Sequence, residues 1–185
     1  AAAGFVREGE TIYIDSGSTC LAFAREIAAM DLRVVTDSLD VLNALASSAS
    51  IVLYSVGGSF RRDARSLIGP LAVEGVRRFH LDRAFLGTSG LTKDGVFSAQ
   101  NAIESELKRA AIAQAARAIV LTDASKIGQA AFSIFARPDD VRMLVTNEAV
   151  ETRELQNNVP FEVVVADAAQ SVGVHPADES REERE

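Results

Sequence analysis

Small polar residues cluster at one turn, Asp15-Ser16-Gly17-Ser18-Thr19, between an apolar segment and a segment with helical periodicity. Gly17 permits a tight turn, and Ser18 or Thr19 can cap the helix that follows. Backbone N–H groups at such a helix start bind anions, and phosphate in particular. The turn therefore predicts a phosphate site. Capping alone would also explain the same residues, because Asp, Ser and Thr cap helices of every kind.

Two later turns have the same character. Asp37 and Ser38 follow a second apolar segment, and Asp123, Ser125 and Lys126 follow another. A lysine at the carboxyl end of a strand can reach a ligand phosphate as a point charge, although pairing with Asp123 on the surface is the plainer explanation. Because ligands of open α/β sheets bind at the carboxyl ends of the strands, the three turns together predict one shared crevice.

The start of a long Ala-rich helical segment carries the charges of Glu104, Glu106 and Lys108. Glu104 and Lys108 are four residues apart, so they share a helix face in the favourable order. Such a pair is usually solvated. The glycine-rich segment from Gly87 to Gln100 precedes this helix, and it would bring the helix start towards the ligand end of the sheet.

A basic cluster, Arg61, Arg62 and Arg65, follows the turn at Gly57-Gly58. Its arginines are available for a phosphate contact, for subunit packing or simply for the solvated surface.

Several kinds of chemistry have no support in the sequence. The Walker A motif and the dinucleotide-binding fingerprint are both absent. Neither of the two histidines has a partner that would make a nucleophilic triad, and one cysteine with two histidines cannot form a disulfide framework or a four-ligand Cys/His zinc site. The sequence predicts no catalytic residues, no metal and no cofactor.

The charge balance argues against direct nucleic-acid binding. The net charge is −7, and no basic run is longer than a pair. No apolar run approaches the ~18 residues of a membrane-spanning helix, and a disulfide-free domain suits a reducing cytoplasm.

Short apolar runs supply the predicted strands. They are continuous rather than alternating, which is typical of strands buried on both faces of a parallel sheet. Helical periodicity lies between them, so the sequence predicts an α/β, Rossmann-like layered domain with a mainly parallel sheet flanked by helices. The predicted strands are Thr11–Ile14, Arg33–Thr36, Ile51–Tyr54, Arg83–Leu86, Ala118–Thr122, Met143–Thr146 and Phe161–Ala166. Two interruptions are expected: a hairpin or loop from Gly57 leading to a helix at Leu71–Arg78, and a loop over one end of the sheet from Gly87 to Gln100.

The ordered set of these motifs resembles the C-terminal effector-sensing domain of the DeoR family of bacterial transcriptional regulators, from about Gly9 to Ala166. That family is related in fold to ribose-5-phosphate isomerase and CoA transferases, which implies a phosphorylated sugar or similar metabolite as the ligand. The resemblance implies the following ligand-binding residues: Asp15, Gly17, Ser18, Thr19, Asp37, Ser38, Gly57, Gly58, Arg61, Gly87, Glu106, Lys108, Asp123, Ser125 and Lys126.

Matched to the family pattern, Gly17, Ser18 and Thr19 would hold the phosphate, with Asp15 beside the sugar. Asp37 stands where the family usually has Asn, and its carboxylate would repel a phosphate. Asp37 is therefore expected to contact hydroxyls or to lie outside the site. Cys20 in place of Thr and Ala124 in place of Ser are the other departures.

The resemblance also implies an organisation and partners. Residues 1–8 would be the end of a linker helix, residues 9–168 the sensing domain, and residues 169–185 a disordered acidic tail. The family reads operator DNA, often as a repressor, through an N-terminal winged helix-turn-helix that nothing in this sequence matches. It works as a dimer or tetramer. The alternative is a sugar-phosphate isomerase or CoA-transferase-like enzyme on the same fold; the Asp-Gly-Ala-Asp and Lys-Gly-Gly-Gly segments of the isomerase are absent.

Overall fold

The computed structural model describes residues 1–166, in which strands and helices alternate. A short 3-10 turn at Ala2–Phe5 precedes the first strand. The elements in chain order are β1 (Thr11–Ile14), α1 (Ser18–Glu26), β2 (Leu32–Thr36), α2 (Leu39–Leu45), β3 (Ile51–Ser55), β4 (Ser59–Arg61), β5 (Ser66–Ile68), α3 (Pro70–Val76), β6 (Arg83–Gly87), β7 (Gly90–Leu91), β8 (Phe97–Ala99), α4 (Ala102–Gln114), β9 (Ala118–Leu121), β10 (Ser133–Ala136), β11 (Met143–Asn147), α5 (Val150–Gln156) and β12 (Glu162–Ala166).

Seven parallel strands form the central sheet, in the order β12-β11-β9-β6-β1-β2-β3. They are the seven strands that the apolar runs predict, each to within one residue at either end. From β1 the chain first builds outwards through β2 and β3, and later through β6, β9, β11 and β12 on the other side. The sheet therefore reverses its direction of growth between β1 and β6, where open α/β sheets form a ligand crevice.

Helices cover both faces of the sheet and bury a core on each. On one face, α1 and α2 contribute Phe23, Ile27 and Leu45, which pack with Ile12 and Phe85 of the sheet. On the other face, buried residues of α3, α4 and α5 pack against the opposite side of the same strands. This confirms the predicted Rossmann-like layered arrangement. Among the helices of residues 1–166, none combines the length and apolar character that crossing a bilayer requires.

The segment predicted to be a loop from Gly87 to Gln100 contains β7 and β8 instead. β8 is the middle strand of a small three-stranded antiparallel sheet, in which it pairs with β7 on one side and with β10 on the other. Strands of two to four residues leave no periodic signal, and their partner lies more than thirty residues further along the chain. The predicted hairpin after Gly57 is present as β4 and β5.

At the N-terminus, the turn at Ala2–Phe5 packs against the α1 face of the core through Ala2, Ala3 and Phe5. The predicted acidic tail, residues 169–185, lies outside the described residues and stays a prediction.

The contact between α3 and the end of β3 is unusually close. A Cβ atom at Gly75 of α3 would lie 2.1 Å from the carbonyl oxygen of Val56. Only glycine allows the helix backbone to approach the strand this closely, because no side-chain atom intervenes.

We therefore expect Gly75→Ala to lower the free energy of unfolding by about 1–3 kcal/mol, the usual cost of forcing atoms into a packed site. This loss occurs although alanine favours helix by ~1 kcal/mol over glycine. Urea denaturation measures it. Gly4→Ala is the matched control, since a Cβ at Gly4 meets nothing within 4 Å; equal stability of the two variants would contradict the prediction.

Candidate functional site

A cleft of about 350 Å³ lies at the carboxyl ends of the central strands, beside the junction of β1 and β6. The turn after β1, the end of β6, the start of α4 and the turn after β9 form its walls. Its lining residues are Ser16, Gly17, Ser18, Thr19, Cys20, Arg61, Ala64, Gly87, Thr88, Ser89, Gln100, Glu104, Lys108, Leu121, Thr122, Asp123 and Lys126. The predicted crevice therefore exists at the predicted edge of the sheet.

The N-terminus of α1 faces this cleft without a side-chain cap. Gly17 occupies the N-cap position with φ of 115°, a conformation that favours glycine, and no side chain among the described residues caps the helix. The first helical hydrogen bond runs from the Leu21 N–H to the Gly17 carbonyl, at 2.9 Å. The N–H groups of Ser18 and Thr19 precede that bond, so capping does not account for the polar residues of this turn.

Capping does account for part of the two other predicted turns. The Ser38 hydroxyl accepts a hydrogen bond from the Val41 N–H at 3.2 Å and so caps α2. The Asp123 carboxylate accepts from the Ser125 N–H at 2.8 Å, at the start of the 3-10 turn Ala124–Lys126. Lys126 ends that turn half-buried on the wall of the cleft.

At the floor of the cleft, Lys108 of α4 forms a buried ion pair with Asp15, which follows β1. Their side chains are 2% and 1% exposed. The Lys108 Nζ also lies 3.2 Å from Glu104 and donates to the Gly87 carbonyl at 3.1 Å. The Gly87 N–H donates to the same Asp15 carboxylate at 2.8 Å. This cluster joins α4 to the ends of β1 and β6.

The charge of Lys108 is fully engaged by these contacts. Burial lowers the pKa of a lysine, but the carboxylates of Asp15 and Glu104 outweigh that effect and hold the pKa of Lys108 above its usual range. Lys108 is therefore a permanent cation whose donors are already occupied within the protein.

The β4–β5 hairpin brings Arg61 to the mouth of the cleft. Its guanidinium lies 3.2 Å from Glu104 and 2.8 Å from Asp63. Arg65 points elsewhere and pairs with Asp40 of α2 at 2.6 Å. Arg62 is exposed. Of these three arginines, only Arg61 lines the cleft.

Asp37 is buried next to the cleft rather than exposed in it. The Tyr13 hydroxyl donates to its carboxylate at 2.9 Å, and neither residue lines the cleft. Burial and the nearby Asp15 carboxylate together raise the pKa of Asp37 to about 7, against the opposing effects of Lys108 and of the Tyr13 hydrogen bond. This placement agrees with one of the two expectations for Asp37, namely that it lies outside the site.

The structure thus brings together about half of the predicted ligand-binding set. The residues that line the cleft are Gly17, Ser18, Thr19, Arg61, Gly87, Lys108, Asp123 and Lys126. Those that do not are Asp15, Asp37, Ser38, Gly57, Gly58, Glu106 and Ser125.

Each residue outside the cleft has a physical reason for its position. Asp15 lies below the floor because it neutralises Lys108. Glu106 is two residues from Glu104 along α4, which turns it to the opposite side of the helix and into the groove facing α3. Gly57 and Gly58 line a different groove, between the end of β3 and α3; a Cβ at Gly58 would lie 2.6 Å from the Ile68 carbonyl oxygen.

The predicted ligand-binding set lacks several polar residues that line the cleft. Thr88, Ser89 and Gln100 come from the segment predicted to be a loop over the sheet, and Ser16 and Thr122 follow β1 and β9. Their positions directly after strands were a usable signal. Glu104, the predicted helix partner of Lys108, also lines the cleft although it is not in the predicted ligand-binding set.

We expect Lys108→Met to lower the free energy of unfolding by about 3–5 kcal/mol, because it leaves the Asp15 carboxylate buried without a counter-ion. The double variant Asp15→Asn/Lys108→Met removes both charges, so its free energy of unfolding should fall by less than that of Lys108→Met alone. Urea denaturation of the single and double variants measures this. Lys93→Met is the matched control, since Lys93 is 75% exposed and 3.5 Å from Glu154; a surface pair contributes ~0–1 kcal/mol.

The pKa of Asp37 predicts a pH dependence of stability. Because this pKa rises from 3.8 in the unfolded chain to about 7 in the fold, the folded state holds a proton that the unfolded chain releases. The free energy of unfolding therefore falls as the pH rises between about 4 and 7. Asp37→Asn should remove the part of this pH dependence that Asp37 causes. Urea denaturation across this range checks it, with the exposed Asp139→Asn as the control. An unchanged slope in Asp37→Asn would refute the assignment.

Comparison with curated proteins finds transcriptional regulators. The chain is 32% identical over 152 residues to the transcriptional repressor AccR of Agrobacterium fabrum, which covers 81% of this chain and 59% of AccR. It is 30% identical over 146 residues to the HTH-type transcriptional repressor GlcR of Bacillus subtilis, a match that covers 79% of this chain and 56% of GlcR. The L-fucose operon activator of Escherichia coli K12 is 25% identical over 147 residues, a match that covers 80% of this chain and 60% of the activator. The chain thus spans somewhat more than half the length of these relatives.

Among solved structures, a D-ribose-5-phosphate isomerase in complex with phospho-erythronic acid has a similar fold, with a TM-score of 0.50 and 16% sequence identity. The match covers 68% of this chain and 49% of the isomerase. This likeness concerns the fold alone.

The family profile described as the DeoR C terminal sensor domain matches residues 1–148. That span contains every described strand up to β11 and all of the residues that line the cleft. Together with the identity to AccR and GlcR, it confirms the resemblance seen in the order of the motifs: this chain belongs to the DeoR C-terminal sensor domain family.

Proposed function

We propose that this domain binds a phosphorylated sugar or a related phosphorylated metabolite in the cleft at the β1–β6 junction. The observation that carries the proposal is that the uncapped N-terminus of α1 and Lys126 line the same cleft. N–H groups without a cap, a helix dipole and a half-buried lysine together form a site for an anion. The cleft volume of about 350 Å³ falls at the small end of the range for small-molecule pockets, ~300–1,000 Å³.

The phosphate is assigned to the α1 end of this cleft because the other cations are already paired. Lys108 is engaged by Asp15 and Glu104, and Arg61 by Asp63 and Glu104. Lys126 has no such partner among the described side chains. The net charge of −7 does not oppose an anion here, since exposed charges are screened beyond ~8 Å at physiological salt.

The remaining wall offers partners for sugar hydroxyls. Thr88, Ser89 and Gln100 supply hydroxyl and amide groups, and the Glu104 carboxylate, which is 17% exposed, can accept hydrogen bonds from hydroxyls. Carboxylate and amide acceptors in a partly buried site suit a polyol better than an apolar ligand. The name of the L-fucose operon activator, a relative of this chain, is consistent with a sugar-linked role.

Catalysis is the second function class on this fold, and the cleft favours binding over it. General acid–base catalysis needs a base as well as an acid, and in this cleft the base would be a carboxylate that is available to take a proton from the substrate. Asp15 is committed to Lys108 and Gly87, Glu104 to Lys108 and Arg61, and Asp123 to the backbone of Ser125. We therefore propose a sensor rather than an isomerase or a CoA transferase.

We further propose that the ligand acts as the effector of a larger regulator. The relatives are repressors and an activator, and this chain corresponds to about 56–60% of their length. Ligand occupancy of the cleft would change operator affinity through a DNA-binding region of the whole protein, acting in the cytoplasm. A coupling of ~1–3 kcal/mol between the two sites is enough for a useful switch.

We expect sugar phosphates to raise the melting temperature of this chain and the corresponding phosphate-free sugars to leave it unchanged. Lys126→Ala should weaken binding of the best sugar phosphate about tenfold, because a charge-assisted contact to the phosphate contributes ~1.5 kcal/mol. Thermal shift selects the ligand from a panel of pentose, hexose and polyol phosphates, and calorimetry then measures its dissociation constant.

Lys93→Ala is the matched control for this measurement, since it removes a lysine that lies outside the cleft. A panel without any shift, or equal affinity of the Lys126→Ala and Lys93→Ala variants, would count against the proposed site. Turnover of ribose 5-phosphate or of an acyl-CoA by the purified chain would support the enzymatic function instead.

A further inference from the structure

Arg61 lines the cleft with hydrogen-bonding capacity left over. A guanidinium has five N–H donors. The Arg61 Nε and Nη2 groups donate to the two carboxylate oxygens of Asp63, each at 2.8 Å, and its Nη1 group donates to Glu104 at 3.2 Å. The other two N–H groups have no partner in the part of the chain that the structure describes. The charge of Arg61 is therefore paired, while two of its donors are unused.

Asp63 holds this guanidinium without taking part in the cleft itself. Its two oxygens bind one edge of the guanidinium through parallel hydrogen bonds, which fixes the orientation of the plane. The Asp63 side chain is 69% exposed and does not line the cleft, whereas the Arg61 side chain is 22% exposed and does. Asp63 therefore reaches a ligand in the cleft only through the contact that Arg61 makes.

The backbone that carries Arg61 is anchored as well. Strand β4 pairs with β5 in the antiparallel hairpin, and main-chain hydrogen bonds tie this hairpin to the start of α2. The Leu39 N–H donates to the Arg65 carbonyl at 2.9 Å, and the Leu67 N–H donates to the Asp37 carbonyl at 2.8 Å. Contacts within the protein thus hold both the backbone and the guanidinium of Arg61, which reduces the entropy that a ligand must pay to order them.

Glu104 offers acceptors beside these donors. One of its oxygens accepts from Arg61, and the other lies 3.2 Å from the Lys108 Nζ. Each carboxylate oxygen has two lone pairs, so each can accept one more hydrogen bond. The Glu104 side chain is 17% exposed and lines the same cleft.

A hydroxyl group can use both residues at once, because it can donate to Glu104 and accept from Arg61. A second phosphate would be repelled by the Glu104 carboxylate, and an ammonium group by the Arg61 guanidinium. A ligand with a hydrogen atom in place of the hydroxyl would cover both polar groups without giving either a partner. Sites of this kind discriminate strongly against such analogues.

We propose that Asp63 is a positioning residue, which holds Arg61 so that Arg61 and Glu104 together bind one hydroxyl group of the ligand. This inference rests on the proposed function, because it concerns the specificity of the same cleft. Recognition is then divided between two parts of the site. The α1 N-terminus and Lys126 bind the phosphate, and the β4–β5 hairpin selects among the compounds that carry one.

The test compares calorimetric dissociation constants for two probes: inorganic phosphate, which has no sugar hydroxyl, and the sugar phosphate with the largest thermal shift. The wild type should bind the sugar phosphate more tightly. Arg61→Lys keeps the charge but loses the guanidinium geometry, so it should weaken sugar-phosphate binding about tenfold and leave inorganic phosphate binding unchanged. Arg62→Lys, in the same hairpin but outside the cleft, is the matched control and should bind both probes as the wild type does.

Asp63→Ala should weaken sugar-phosphate binding about fivefold, because the ligand must then order the Arg61 side chain itself. This loss has the opposite sign to a simple charge effect, since removal of a carboxylate near the cleft favours an anion. In an Arg61→Ala background, Asp63→Ala should cause no further loss. Circular dichroism and melting temperatures confirm that each variant is folded.

A wild type that binds the two probes equally would overturn this role of Asp63 and Arg61 but leave the phosphate site of the proposed function intact. The same conclusion would follow if Arg61→Lys weakened both probes alike, or if the loss in Asp63→Ala persisted in the Arg61→Ala background. Failure of both probes to bind would instead overturn the proposed function, and the role of Asp63 with it.

Discussion

The buried ion pair between Lys108 and Asp15 constrains the rest of the structure. Two charges out of water are tolerated only when each is neutralised and its remaining hydrogen-bonding capacity is used. Glu104 and the backbone of Gly87 meet that requirement, which fixes the start of α4 against the ends of β1 and β6. Because these elements form three walls of the cleft, the electrostatics of one lysine determine the shape of the site.

The same pair determines where a ligand anion can be held. A lysine that lines a cleft would ordinarily be its anchor, but Lys108 is already neutralised. Positive potential therefore remains at the α1 N-terminus, where Gly17 replaces a capping side chain, and at Lys126. In this fold a buried salt bridge separates the charge that holds the structure together from the charge that is available to a ligand.

Much of this arrangement could be predicted from the sequence, and the failures share a cause. The continuous apolar runs predict all seven central strands. They do not predict β7, β8 and β10, because such short strands depend on partners that are distant in the sequence. The turn residues were located correctly, but only packing decides which side of α4 enters the cleft, so Glu104 lines it and Glu106 does not. Likewise, local sequence cannot separate a capping Ser38 from an uncapped α1 turn, because both contain the same residue types.

The reversal of sheet growth between β1 and β6 has a consequence for synthesis. The cleft combines residues 16–20 with residues that follow β6 and β9, and the central ion pair links positions 93 apart in the chain. A growing chain that has completed β1, β2 and β3 holds three of the seven central strands but none of the opposing wall. The site is complete only after Lys126 has left the ribosome. Under the proposed function, ligand binding requires nearly the whole domain to be made and folded, so a truncated product would not compete for the ligand.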